Sequence, residues 1–397
     1  MFIELENTPR DYAWGARDAV SALLGLPLTG AREAELWMGA HAGSPARILA
    51  PEAAAAHGTL DRWIAADPAA AGLDEAHLPF LFKILAAGEP LSIQAHPDAA
   101  GAREGFEREN AAGIALDDPA RNYRDPYPKP ELIVALEDGF EALSGFRPFP
   151  GILADLDDLL SAELSGEDRA ALGALRARLA SAGTGESELL RGEIVAALSG
   201  ERGAAVAALS AAAQAAPDLR ISDTVQRLAT RYPGDPGILV ALYLNRVTLA
   251  RGESLFLDAG NVHAYLEGLG LELMTASDNV LRGGITPKHI DVAELLGVLN
   301  FGTGPAPYLP AREEAPGVLA YRPAEANFAL LRLDPAVVGS FEAPGPAIFL
   351  QLSGVSHLGN SCENLTLDRG GICYLTPREN PVGIAGHGEL WVATIAG

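Results

Sequence analysis

The chain has 397 residues, enough for two or three domains with sizeable cores, and its composition, 48% hydrophobic and 20% charged, is that of an ordinary soluble protein. Its 29 basic residues stand against 52 acidic ones, a net charge of −23, which argues against nucleic acid or an anionic membrane as partner. An anionic small molecule would need a locally basic pocket set against that field. Two cysteines, Cys362 and Cys373, are too few for a disulfide scaffold and lack the companions of a cysteine zinc site, so both read as reduced thiols of a cytoplasmic protein.

From the N-terminus, "MFIELENTPRDYAWG" shows no basic segment followed by an apolar run, so no signal peptide is visible. The apolar run "HLPFLFKILAAG" is short of the roughly 20 residues of a membrane span and holds Lys83. Residues 1–148 are rich in Gly and Pro and carry short strand-like runs: "LPFLFKIL", "LSIQAH" and "ELIVAL". From residue 149 to 232 the texture changes to Ala/Leu-rich segments with helical spacing, such as "ILADLDDLLSAEL" and "EDRAALGALRARLASA". Four to five helices are expected there, closed by the turn residues of "RYPGDPG".

Short strands then resume over 233–299 and 300–397, among them "LNRVTLARGESLFLDAG", "FALLRLD", "AIFLQLSG" and "ELWVATIAG". Regular short strands with Gly/Pro turns predict a mainly β chain of jelly-roll type carrying a helical insertion. "TLARGESLFL" from Thr248 is echoed by "TLDRGGICYL" from Thr366, which points to two copies of one β-roll, the second beginning near residue 300. That second roll has no recognisable His/Glu set and is expected to be metal-free.

The chemistry-bearing residues sit in these strands. In "LSIQAHPD" alternation places Leu91, Ile93 and Ala95 on one face and Ser92, Gln94 and His96 on the other. His263 follows a strand in "DAGNVHAYLEG", and Glu131 opens another after Pro130. An amide oxygen, two imidazoles and a carboxylate suit zinc or a similar divalent ion, whereas a lone strand histidine is ordinarily just hydrogen-bonded. The other histidines (His41, His57, His77, His289, His357, His387) read as turn or surface residues. In "ELMTASDNVLRGGITPKHID", Arg282 and Lys288 flank a Gly-Gly turn that could hold a phosphate; the alternative is a solvated turn before a helix near Asp291.

Taken together, "AELWMGAH", "PFLFKIL", "LSIQAHPD", "KPELIVAL", "FEALSGFRP", "GNVHAYLEG" and "SDNVLRGGITPKHID" resemble the type I phosphomannose isomerases, in the family's order and over essentially the whole chain. The resemblance implies a zinc enzyme of cupin-like double β-roll fold with an α-helical subdomain. It would interconvert mannose 6-phosphate and fructose 6-phosphate, feeding mannose activation to GDP-mannose or mannose catabolism. It implies zinc ligands at Gln94, His96, Glu131 and His263, with one ion per chain. Arg282 matches the family's active-site arginine, Ser92 and Lys288 match phosphate-associated positions, and Lys129, Glu272 and Tyr265 match residues lining the same pocket. One departure stands out: the family often reads His-Lys-Pro-Glu where this chain has Pro128-Lys129-Pro130-Glu131.

The expected partner is a small sugar phosphate, with no nucleic acid and no membrane, for a monomer or weak homo-oligomer. Aldose–ketose isomerisation needs a positioned base, and Glu272 and Lys129 are both candidates. Two other readings compete: an iron-dependent oxidase on a β-roll, and a non-catalytic sugar-phosphate sensor. The cation pair speaks against the first. Retention of Glu272, Lys129 and all four ligands speaks against the second.

Overall fold

The computed structural model describes residues 1–183, 185–361, 363–377 and 381–396. Cys362 lies outside them, while Cys373 is buried and free, and burial pushes its thiol pKa up. The described strands form one nine-stranded and one ten-stranded sheet plus a small two-stranded ribbon, and the named strands pair antiparallel throughout.

The nine-stranded sheet is organised by the long strand His263–Thr275, which pairs with Phe80–Ala87, Glu131–Ala135, Phe140–Phe146 and Ile93–Ala95. Its register sets Glu272 opposite Lys83 and His263 opposite Gln94. The strand Leu281–Gly284 continues the order by setting Arg282 opposite the other side of Gln94. Of the expected strand Leu91–His96, only Ile93–Ala95 is ladder-paired. The chain then turns at Pro97, and the Asp98 carboxylate caps the helix Ala99–Ala111 by accepting from the Gly101 N–H at 2.7 Å.

The ten-stranded sheet holds the C-terminal strands, among them Phe328–Leu333, Ala347–Gly359 and Val382–Ile395. It also takes the first strand of the chain, Phe2–Glu6, which pairs with Ile372–Leu375, and Arg47–Ile48 beside it. A division that gives residues 1–148 wholly to the first roll therefore needs correction: the outer backbone of Ile372–Leu375 is satisfied by the N-terminal strand. Ile3, Leu36, Phe82, Leu271, Phe328, Ile348 and Trp391 belong to one buried cluster that joins the two sheets.

The sequence echo is structural. Each copy is a strand, a turn and a strand, and Gly252 and Gly370 take the same left-handed backbone at φ +83° and +86°. In both turns the N–H three residues on donates back, from Glu253 to Ala250 at 2.9 Å and from Gly371 to Asp368 at 2.7 Å.

Five helices, Phe149–Leu160, Gly166–Ala180, Glu186–Leu198, Gly203–Ala215 and Arg220–Arg231, fill the inserted segment. Their apolar faces share one buried cluster with Ile93, Leu143 and Leu281 of the adjoining sheet and with Val262 and Ile285 next to its strands. A sixth, Gly237–Leu242, extends the helical part past the expected end at residue 232. All six of its residues are buried, so it has no polar face and its sequence shows no helical period. Among the described residues no single helix is long and apolar enough to cross a membrane.

Candidate active site

Strand register builds the site. Glu131, at the start of its strand, lies opposite Leu257 and Met274, and it projects beside His96 and His263. His96 Nε2 is 3.3 Å from Glu131 Oε1, and His263 Nε2 is 3.1 Å from Glu131 Oε2. These three residues are essentially fully buried, and His96 Nε2 and Glu131 Oε2 have no hydrogen-bond partner. Two orphaned lone-pair atoms aimed at one point, beside a third, are what a bound cation would satisfy. The outer imidazole nitrogens are already held, His96 Nδ1 by the Asn279 carbonyl at 2.7 Å and His263 Nδ1 by the Asn261 carbonyl at 3.1 Å. That leaves each Nε2 as the inward lone pair. Burial, then Lys129, lower the His96 pKa to about 4, so the ring is neutral at neutral pH and free to ligate. The Gln94 amide nitrogen lies 3.5 Å from His263 Nε2, and a half-turn of that amide presents its oxygen instead. The donor set fits one zinc ion.

A cavity of about 310 Å³ opens over this cluster. Eight of the ten residues singled out from sequence line it: Ser92, Gln94, Lys129, Glu131, Tyr265, Glu272, Arg282 and Lys288. His96 and His263 do not; they lie behind it with 1% exposure each. Lys129 Nζ donates to Glu131 Oε1 at 2.5 Å. Burial opposes charge on Glu131, but Lys129 and then His96 outweigh it and keep that carboxyl well below the usual range.

Sequence reasoning missed a buried charge group in the same wall. Lys83 Nζ is 2.9 Å from Glu272 Oε2 and 3.7 Å from Glu35 Oε1, and the Trp37 indole N–H donates to Glu35 at 2.7 Å. Burial disfavours the ammonium, yet Glu272 and Glu35 together hold the Lys83 pKa above that of an ordinary lysine. Glu272 itself is raised: burial pushes it up, Lys83 pulls it down, and Glu131 and Glu35 push it up again. A lysine inside "PFLFKIL" was the available signal, because a charge in a fully buried strand must be paired. Tyr265 OH is buried without a hydrogen-bond partner, and burial followed by the Glu272 and Glu131 charges raises its pKa well above the phenol norm.

Arg282 and Lys288 line the same cavity. Burial lowers both pKa values, and the remaining influences are other cations: Arg124 on Arg282, and Arg282 with Arg124 on Lys288. Neither has a carboxylate partner among the described residues. Two cations without a carboxylate partner in one cavity of so acidic a chain make a local anion site. Pro128 lies outside the cavity lining and has no titratable group. The histidines read as surface residues divide: His41 pairs with Asp278 at 3.3 Å and His77 stacks on Tyr127 at 4.6 Å, while His289, His357 and His387 are exposed.

Residues 2–149 match the family model for the phosphomannose isomerase type I catalytic domain. Over 403 residues the chain is 36% identical to the mannose-6-phosphate isomerase of Escherichia coli (strain K12), with 98% of each chain covered. The chain belongs to the type I phosphomannose isomerases. The Homo sapiens mannose-6-phosphate isomerase is 31% identical over 404 residues, covering 94% of this chain and 92% of its own. A crystal structure of mannose 6-phosphate isomerase bound with zinc and yttrium superposes with a TM-score of 0.86 at 34% identity, covering 99% of both chains. The apo form from Salmonella typhimurium is equally similar, again with a TM-score of 0.86. This family membership accounts for the mainly β, cupin-like architecture with a helical insertion, and for the type of metal that the buried donors suit.

Proposed function

We propose that the chain is a zinc-dependent aldose–ketose isomerase interconverting D-mannose 6-phosphate and D-fructose 6-phosphate. The observation that carries this reading is one cavity lined by Glu131, which lies in the buried His96–Glu131–His263 set with His96 Nε2 and Glu131 Oε2 unsatisfied, and lined also by Arg282 and Lys288, neither with a carboxylate partner among the described residues. Gln94 would complete the ligands. Zinc, when bound, supplies Lewis-acid polarisation of sugar oxygens.

The protein residues do the rest. Arg282 and Lys288, with the Ser92 hydroxyl, bind the phosphate and fix the sugar's orientation. A base takes the proton from C2 of the open-chain aldose while the aldehyde oxygen gains one, giving an enediol. Loss of the O2 proton and protonation of C1 then yield the ketose. Glu272 is favoured as that base, because its raised pKa brings it nearer the working pH while Lys83 keeps it ionised. Lys129, bonded to Glu131, holds positive charge near the developing enediolate. With proline at 128, no step uses a side chain there.

The same reading assigns the catalytic roll to residues 1–148 and 233–299, less the strands lent to the C-terminal sheet. It assigns the helical insertion to 149–232 and a metal-free roll to 300–397. It also takes the protein as a cytoplasmic monomer or weak homo-oligomer, supplying mannose activation or catabolism. A coupled assay for fructose 6-phosphate, run before and after chelation and zinc restoration, tests the activity. No product from zinc-loaded protein would sink it.

A further inference from the structure

The turn "RYPGDPG" between the helices Arg220–Arg231 and Gly237–Leu242 takes no part in the chemistry above, yet it is pressed against the motif bearing Arg282 and Lys288. Ile285, three residues after Arg282 and three before Lys288, has φ +55°. Left-handed backbone is unusual for a β-branched residue and persists only where neighbours impose it. Ile285 is fully buried and lines the cavity.

What imposes it is Asp235. Its Oδ1 accepts from the Ile285 N–H at 2.9 Å and from the Gly237 N–H at 2.7 Å, while Oδ2 accepts from the Thr286 N–H at 3.4 Å. Thr286 Oγ1 in turn accepts from the Lys288 N–H at 3.1 Å, so the hold passes along the turn to the cation-bearing residue. The backbones meet closely: a Cβ on Gly237 would lie 2.7 Å from Ile285 N, and one on Gly284 would lie 2.5 Å from Gly237 Cα. Tyr232, from the same turn, lines the cavity.

We infer that Asp235 is a positioning residue: its carboxylate holds Ile285 in left-handed backbone so that Arg282 and Lys288 converge on one phosphate. The helical insertion is thereby part of the substrate site, although it supplies no charge to the substrate. This rests on the reading of Arg282 and Lys288 as phosphate-binding cations.

The test compares Asp235→Ala, Asp235→Asn and Gly237→Ala with the parent, each checked for zinc content and thermal midpoint. The readouts are KM for mannose 6-phosphate, competitive inhibition by inorganic phosphate, and amide exchange over residues 284–288. Asp235→Ala should raise KM and the phosphate inhibition constant about tenfold or more, exceeding any loss in kcat, and speed exchange in the turn. Asp235→Asn keeps an acceptor oxygen and should stay near the parent. Gly237→Ala leaves the carboxylate in place but displaces the turn, and should raise KM likewise, so the idea remains testable if Asp235→Ala does not fold. Parent-like KM in folded, zinc-loaded Asp235→Ala or Gly237→Ala overturns the inference, even where exchange is faster, because the contact would then be a structural staple only. Unchanged KM in Lys288→Ala and Arg282→Ala would instead overturn the phosphate reading on which it rests.

Discussion

Replacing Lys83 by Met keeps a side chain of similar bulk in its strand and removes the ammonium that sits 2.9 Å from Glu272 and 3.7 Å from Glu35. With 7% of the lysine side chain exposed, water cannot take over the lost charge. The least costly response is proton uptake by Glu272, whose pKa already lies above its ordinary 4.5. Holding that proton at pH 7 on a carboxyl that releases it near 4.5 in the unfolded chain costs about 3 kcal/mol, at about 1.4 kcal/mol per pH unit. The sign follows from linkage. A folded-state carboxyl raised above its unfolded value binds the proton that the unfolded chain has lost, so the penalty grows as pH rises above 4.5 and fades to about 0.7 kcal/mol at pH 5. Urea unfolding of parent and variant at pH 5, 6 and 7, with zinc held equal, reads this difference directly because titrations common to both cancel. The variant should also lose about 100-fold or more in kcat, since a protonated Glu272 accepts no proton. A stability gap that is absent, or that is the same at pH 5 and pH 7, refutes the argument.

Purified protein should hold about one zinc per chain by elemental analysis, and His263→Ala should lose most of it; full occupancy in that variant removes His263 from the ligand set. Lys129→Met and Glu272→Gln, each with zinc content verified, should show a loss of about 100-fold or more in kcat for at least one of the two, and near-normal turnover in both would eliminate both as the proton-transferring group. A charged hydrogen bond to desolvated phosphate is worth about 1.5–3 kcal/mol, so Lys288→Ala should raise KM for mannose 6-phosphate roughly 10- to 150-fold, while Arg282→Ala should also lower kcat. Unphosphorylated mannose should be a very poor substrate for the parent, and turnover as fast as that of its phosphate would contradict the role given to the cation pair.

Periodicity along the chain was enough to place the helical insertion and the short strands on either side of it, because both patterns depend only on near neighbours. The alternation in "LSIQAHPD" already put Gln94 and His96 on one polar face, residue chemistry marked Glu131, His263, Arg282 and Lys288 as candidates, and the resemblance to the family's motifs gave each an expected role. Other features depended on residues far apart in sequence. Lys83 and Glu272 are 189 positions apart, and only the register between Phe80–Ala87 and His263–Thr275 makes them a pair. Glu35 and Trp37 join them through a third strand, Glu35–Met38, whose sequence carries no mark of that partnership. The placement of Phe2–Glu6 in the C-terminal sheet was equally invisible, because an unpaired strand edge does not record which strand will cover it. Asp235 reads from sequence as a common turn residue. Its bond to Ile285 exists only because packing brings its turn against the cation-bearing one, where both backbones are close enough that the contact tolerates glycine alone.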